Sequence, residues 1–491
     1  MSRYGDRLVC WGSADTKGSL LLIRWAFTLL LFSLSCSDGM EASRPNVLVV
    51  VLDTTRVDAL SVYDPSKRTT PHLEKVAQEG VRFTRAFSTG FWTIPSHASL
   101  LTGQYPSDHQ ATSETRQLPL EASTLAEDLA EAGYRTGAFV SNPWLSEGRG
   151  FAQGFSVFEA VWKSSKGHAS ALALDRQAVR LALEFIDGDP GSGTGTAPFF
   201  AFLNLNSNHM PYDPDPLILD ELHPGPRSID RSVRLRKLVG GWEHFAGQVD
   251  LDSEDYRILR AFYEAEAAML DGLLGELIEG LRSRGQLDKT LVIITSDHGE
   301  NIGEHGMVDH ILSLYETTLH VPLILRYPGY FEGGKVDERL VSLVDVRPTV
   351  LELAGLSRDP SEGEARSLAD PEHRGHEFVV AENERPVQGI TNLLILDPEF
   401  DTEPLNRPMR MIRTDRYKLI WREGDSVELY DLSVDPDEEF DLSISQPERV
   451  EALKGQLDLW LKARSGKVQT RPLERLDQES EKELRALGYI E

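Results

Sequence analysis

The chain has 491 residues, 40% of them hydrophobic, and 51 Lys and Arg against 78 Asp and Glu give a formal net charge of -27. That length holds a large core, whereas so acidic a surface repels nucleic acid and anionic membranes and excludes a long polyanionic substrate unless the site is locally basic. The two cysteines are Cys10 and Cys36, which excludes a disulfide framework for everything downstream of them.

In chain order, Arg3, Arg7, Lys17 and Arg24 come before an apolar run from Trp25 to Leu34 that is too short to span a bilayer comfortably. Residues 1–35 read as an export signal. Cys36 after Ser33-Leu34-Ser35 suggests a lipoprotein cleavage site, although Ser33 stands where leucine is usual. An exported protein is expected, periplasmic, anchored to the outer membrane through a lipid on Cys36, or secreted. Residues 1–35 carry four basic and two acidic side chains, so the remainder has a net charge of -29.

Apolar runs at 46–52, 135–140, 199–205, 290–295 and 321–326 predict strands of a central sheet. The run after Asn46 delivers Asp53, and Leu291-Val292-Ile293-Ile294 leads into Asp297-His298. Buried parallel strands place their ligands at their carboxyl ends. Between them, Phe91-Trp92-Thr93-Ile94-Pro95-Ser96-His97 places a hydroxyl at the mouth of a helix, with Pro95 in the first turn and Thr93 expected to cap the free amides. A phosphate or sulfate ester held at that end would lie near the Thr93 hydroxyl. Asp53, Asp297, His298 and Thr93 make a divalent-metal site.

A glycine-rich loop is predicted at 187–196 and an amphipathic helix from Tyr256 to Arg284. Residues 214–252, of mixed charge, read as an excursion over the active-site mouth. Past about residue 370 the elements shorten, with strands at 411–413 and 417–421 and a helix near 446–464. The acidic run 435–441 lacks the spacing of a calcium loop and reads as a solvated turn. The domains expected are a catalytic α/β domain over 44–370, with a mostly parallel sheet flanked by helices, and a C-terminal α+β subdomain over 371–491 packed on it.

Together these segments resemble the sulfatase family of the alkaline phosphatase superfamily. The resemblance also includes His209-Met210-Pro211-Tyr212, the run from Gly303 to His310, Tyr315-Glu316, Asp345-Val346-Arg347-Pro348-Thr349, Glu428-Leu429-Tyr430-Asp431 and Leu487-Gly488-Tyr489. It implies an alkaline-phosphatase-like fold and a hydrolase of ester bonds. One departure bears on the chemistry. The family oxidises a cysteine or serine at the nucleophile position to formylglycine; Thr93 stands there and has no route to that aldehyde. His97 replaces the usual arginine after the Pro-Ser pair, and Val140-Ser141-Asn142 the usual Lys-x-His. Thr54 replaces a second carboxylate used for calcium, which favours one zinc or manganese ion over calcium.

Members of the superfamily with a threonine nucleophile act on phosphorus, so the resemblance implies hydrolysis of phosphate or phosphonate mono- or diesters through Thr93, and the acidic charge favours a small or lipid-derived ester. His310 matches the position of a group that holds the substrate oxyanion, and His209 that of a histidine assisting the leaving group. Asn142, His97 and Arg56 are placed against the substrate, with a local pair to Asp58 the alternative for Arg56. The rival readings are a sulfuric ester hydrolase, a phosphoethanolamine-type transferase, and an anion-binding protein without turnover.

Overall fold

In a computed structural model, residues 44–164, 170–188, 197–238, 240–357, 363–424 and 426–464 are described. The export signal, Cys36, most of the 187–196 loop and Leu487-Gly488-Tyr489 lie outside them. The strands are β1 (Asn46–Leu52), β2 (Val81–Phe87), β3 (Arg135–Val140), β4 (Val157–Ala160), β5 (Phe199–Leu205), β6 (Thr290–Thr295), β7 (Asn301–Ile302), β8 (Val308–Asp309), β9 (His320–Arg326), β10 (Lys335–Ser342), β11 (Phe378–Asn383), β12 (Met409–Thr414), β13 (Tyr417–Arg422) and β14 (Val427–Asp431). Eight of them form the main sheet in the order β10-β2-β9-β6-β1-β5-β3-β4. Only β9 runs antiparallel to its neighbours.

The continuous apolar composition of β1 follows from burial on both faces. Val47, Val49 and Val51 enter a core with Ile94, Leu101, Leu125 and Val350. Leu48, Val50 and Leu52 enter a second core with Leu270, Leu274, Leu277 and Ala178. The second core is covered by helix Ser253–Ser283, begun by a capping box in which Asp252 accepts from the Glu254 and Asp255 amides. Among the described residues, no helix is long and apolar enough to cross a membrane.

The five sequence-predicted strands of the main sheet are all present. β2, β4 and β10 were not foreseen; β2, with the sequence VRFTRAF, alternates in burial and lacks a continuous apolar run. The excursion over 214–252 contains three short helices, Pro216–Leu222, Ile229–Leu235 and Trp242–Phe245.

The C-terminal sheet is antiparallel, β11-β12-β13-β14, with helix Pro447–Lys462 packed on it. Lys418 on β13 is fully buried and pairs with Glu438 at 2.7 Å and Glu316 at 3.1 Å. The acidic turn is therefore not wholly solvated as expected, because Glu438 reaches inward. Lys418→Met leaves the buried Glu438 without its cation and Glu316 with Arg413 alone, at 3.6 Å, and is expected to destabilise by about 3–5 kcal/mol in urea unfolding. Burial, opposed by Lys418, already raises Glu438 to about 7. The loss is therefore expected to be smaller at about pH 5, where the carboxyl takes a proton, than at about pH 8.

Candidate active site

β6, β1, β5 and β3 are neighbours and parallel, so their carboxyl ends open on one edge of the sheet. That edge receives Asp53 from β1, Asn142 after β3, His209 after β5, and Asp297 and His298 after β6. The turn after β1 is tight enough to hold Thr54 at φ 57°, an uncommon conformation for a β-branched residue. It is held there by Thr54 Oγ1 donating to Asn208 O at 2.9 Å and Tyr263 Oη donating to Thr54 O at 2.7 Å. The turn aims the Thr54 amide at Asp297 Oδ1, 3.2 Å away. Gly299 follows His298 where the chain passes so close to Thr317 that a Cβ would collide with its carbonyl.

Asp53, Asp297 and His298 are fully buried and each offers a ligand atom within 4.8 Å of the others. Asp53 Oδ2 accepts from Asn142 Nδ2 and Asn204 Nδ2, both at 2.8 Å, while Asp53 Oδ1, Asp297 Oδ2 and His298 Nε2 make no hydrogen bond. His298 Nδ1 lies 2.9 Å from Gly299 O. That contact fixes the proton on Nδ1 and leaves the Nε2 lone pair facing the carboxylates. Three unpartnered lone-pair atoms from two carboxylates and a neutral imidazole fit a divalent cation. Without one, burial first and then Asp297 raise Asp53 to about 7, against His97, Asn204 and Asn142. Burial also pushes Asp297 up, but His298 and His97 outweigh it and hold that carboxyl low. Burial lowers His298 to about 3, which keeps it neutral.

Thr93 is the first residue of helix Thr93–Thr102 and Trp92 is the extended residue before it. The expected cap is thus corrected: Thr93 already has helical backbone angles, and no side chain caps the helix. Its Oγ1 instead accepts from Asn142 Nδ2 at 3.2 Å. One amide therefore ties the hydroxyl to Asp53.

His97, one turn along, lies 2.9 Å from Thr93 O and 3.3 Å from Asp297 Oδ2 through Nδ1, and 3.3 Å from Asn204 Nδ2 through Nε2. It is wholly buried behind the carboxylates. Arg56 has the local arrangement, pairing with Asp58 at 2.7 Å and Glu304 at 2.8 Å and donating to Glu300 O at 2.8 Å.

His310 and His209 stand beside His298, with ring centroids 4.6 Å from His298 to His310 and 5.0 Å from His310 to His209. Burial opposes a charge on His310, but Asp309 at 2.6 Å and Glu300 at 3.6 Å more than offset it and its pKa rises well above the ordinary value. His209 is shifted down, by burial first and by His310 second. Its Nδ1 lies 2.5 Å from Met210 O. Residues 240–245 of the excursion reach this side, where the Gly241 amide donates to Asp309 Oδ2 at 3.0 Å.

Asn204 and Glu300 were not singled out from sequence. A signal for Asn204 was present in its position as the one polar residue of the strand FFAFLNL. Glu300 sits two residues beyond His298, accepts from Tyr212 Oη and underlies His310.

A family model described as Sulfatase matches residues 45–356, and one described as N-sulphoglucosamine sulphohydrolase, C-terminal, matches residues 303–464. The chain is 28% identical over 475 residues to an arylsulfatase K of Gallus gallus, covering 89% of this chain and 86% of that protein. It is 25% identical over 488 residues to an N-acetylglucosamine-6-O-sulfatase of Bacteroides thetaiotaomicron, covering 82% and 84%. Its fold matches a phosphonate monoester hydrolase of Agrobacterium radiobacter with a TM-score of 0.67 at 23% identity, over 87% of this chain and 96% of that one.

Proposed function

This chain belongs to the sulfatase family of the alkaline-phosphatase-like superfamily and is a hydrolase of ester bonds, and from that membership we propose that it is an exported enzyme cleaving phosphate or phosphonate esters through Thr93. The observation that carries the proposal is the hydroxyl of Thr93 at the head of its helix, tied through Asn142 to Asp53, in a chain whose two cysteines, Cys10 and Cys36, precede the whole site. A threonine cannot become an aldehyde, whereas a secondary hydroxyl suffices as a nucleophile toward phosphorus.

A divalent cation would be held by Asp53, Asp297 and His298 and would supply Lewis acidity, which makes a hydroxyl usable near neutral pH. Thr93 Oγ1 forms a bond to phosphorus as the bond to the leaving oxygen breaks, and water then cleaves the phosphothreonine. The proton that Thr93 Oγ1 gives up ends on the leaving oxygen, with neutral His209, whose Nδ1 lies 2.5 Å from Met210 O, as the group assisting that oxygen. His310, kept cationic by Asp309 and Glu300, faces the charge on the non-bridging oxygens. Asn142 donates to Thr93 Oγ1 as it loses its proton. Asn142→Ala is expected to lower kcat by about 100- to 1,000-fold with the fold retained, read by steady-state kinetics beside circular dichroism.

The names of the sequence relatives, arylsulfatase K and N-acetylglucosamine-6-O-sulfatase, favour a second reading, hydrolysis of sulfuric esters. A matched set of p-nitrophenyl phosphate, phosphodiester, phosphonate and sulfate, offered to zinc- or manganese-loaded protein, separates the two. Faster turnover of a phosphorus ester supports the proposal; preferred turnover of the sulfate replaces it with the second reading.

A further inference from the structure

We propose that Asp345, His373 and His376 form a second divalent-metal site, selective for zinc, that fastens the connection between the two sheets. It shares no residue with the active site. β10 ends at Ser342, Asp345 stands in the turn entering helix Val346–Leu353, and the two histidines belong to the segment that leads into β11. One ligand atom from each of the three lies within 4.8 Å of the others. Asp345 is wholly buried and His373 is 3% exposed.

His376 Nε2 approaches Asp345 Oδ2 at 2.8 Å and Oδ1 at 3.0 Å. An ordinary ion pair would account for that contact but not for the third member. His373 Nε2 is buried with no hydrogen-bond partner, and Nδ1 receives only the Gly375 amide at a long 3.3 Å. A buried imidazole nitrogen left unpartnered is costly, and a cation ligated through it offsets that cost in exchange for the long Gly375 contact. Nδ1 then takes the proton and releases Gly375 N–H.

The donor set is one carboxylate oxygen and two imidazole nitrogens, a borderline mixture that suits zinc better than calcium or magnesium, with water in the fourth position. The surroundings already orient it. Asp345 accepts from the Ser342 amide at 2.9 Å and the Arg366 amide at 2.8 Å, and Arg339 Nη1 donates to His373 O at 2.8 Å. Arg339 is itself neutralised by Asp337 at 2.8 Å. Such outer partners are the usual support of a metal centre. The bound ion would tie the start of helix Val346–Leu353 to the segment entering β11, and so the C-terminal sheet to the main one.

The test is metal content of the full chain, stripped with chelator, reloaded with zinc and freed of excess by gel filtration. Two zinc ions per chain are expected, falling to one in His373→Gln and to one in Asp297→Asn. Zinc that disappears with Asp297→Asn alone, and is unchanged in His373→Gln, overturns the proposal. Zinc lost in His373→Gln but not in Asp297→Asn upholds it and removes the metal from the active-site reading instead. Cobalt loading guards against a misfolded variant: Asp297→Asn should show the visible d–d bands of a four-coordinate ion, and Asp297→Asn with His376→Gln should lose them while keeping its circular dichroism. Persistence of the bands in that double variant sinks the site.

Discussion

Thr93→Ala is expected to reduce hydrolysis of phosphate and phosphonate esters by about 10,000-fold or more in kcat, the scale on which loss of a covalent nucleophile is felt. The fold should barely notice. Thr93 Oγ1 accepts from Asn142 Nδ2, and that amide keeps Asp53 Oδ2 at 2.8 Å when the hydroxyl is gone. No buried donor is orphaned, so the cost in stability should stay near about 1 kcal/mol. Thr93→Ser retains a hydroxyl at the same place and should retain activity within about 100-fold, a loss of about 3 kcal/mol of transition-state stabilisation at most. Burst kinetics with a p-nitrophenyl ester separate the two half-reactions. Activity of Thr93→Ala within about tenfold of the unaltered enzyme would mean that water attacks phosphorus directly, with the threonine reduced to a hydrogen-bond acceptor.

Much of the main sheet was legible because β1, β3, β5, β6 and β9 are buried on both faces and read as largely apolar runs. β2 escaped because Arg82, Thr84 and Arg85 interrupt its apolar positions, so that it looks like surface. The same burial explains which parts of the site could be found. Asp53 follows its apolar run at once, and Asp297 and His298 follow theirs after Thr295-Ser296, where a charge is conspicuous. Asn204 lies inside such a run, and its purpose, donating to Asp53 while accepting the Asn142 amide at 3.0 Å, exists only once β3 and β5 are adjacent. Thr93 was found as a hydroxyl at a helix mouth but expected to cap it. Whether a residue caps or begins a helix depends on backbone angles, and at this helix the extended residue is Trp92. Thr54 read as a missing carboxylate; its left-handed backbone, which turns an amide onto Asp297, leaves no trace in a sequence.

Asp53→Asn is expected to stabilise the metal-free protein at about pH 8 while removing its metal and its activity. Asp53 and Asp297 face each other in a buried site, and burial together with Asp297 raises Asp53 to about 7. A carboxyl whose folded pKa is raised favours the fold below its unfolded pKa of about 4, and that contribution is lost as pH rises through about 7. Metal-free protein should therefore lose stability across that interval, and zinc, which must displace the proton, should bind about tenfold more weakly for each pH unit below 7. Asparagine at 53 keeps an oxygen for Asn142 and Asn204 and turns an amide toward Asp297 Oδ2, which makes no hydrogen bond in the unaltered site. Repulsion becomes attraction and the titration vanishes, but one anionic ligand is gone. Asp297→Asn loses the same metal without the same gain, because Asp297 is the carboxylate that is already held low by His298 and His97. Melting curves with and without chelator at about pH 5 and about pH 8, beside zinc titrations, measure all of this. Equal melting shifts for Asp53→Asn at the two pH values in the chelated protein would mean that the facing carboxylates do not share a proton.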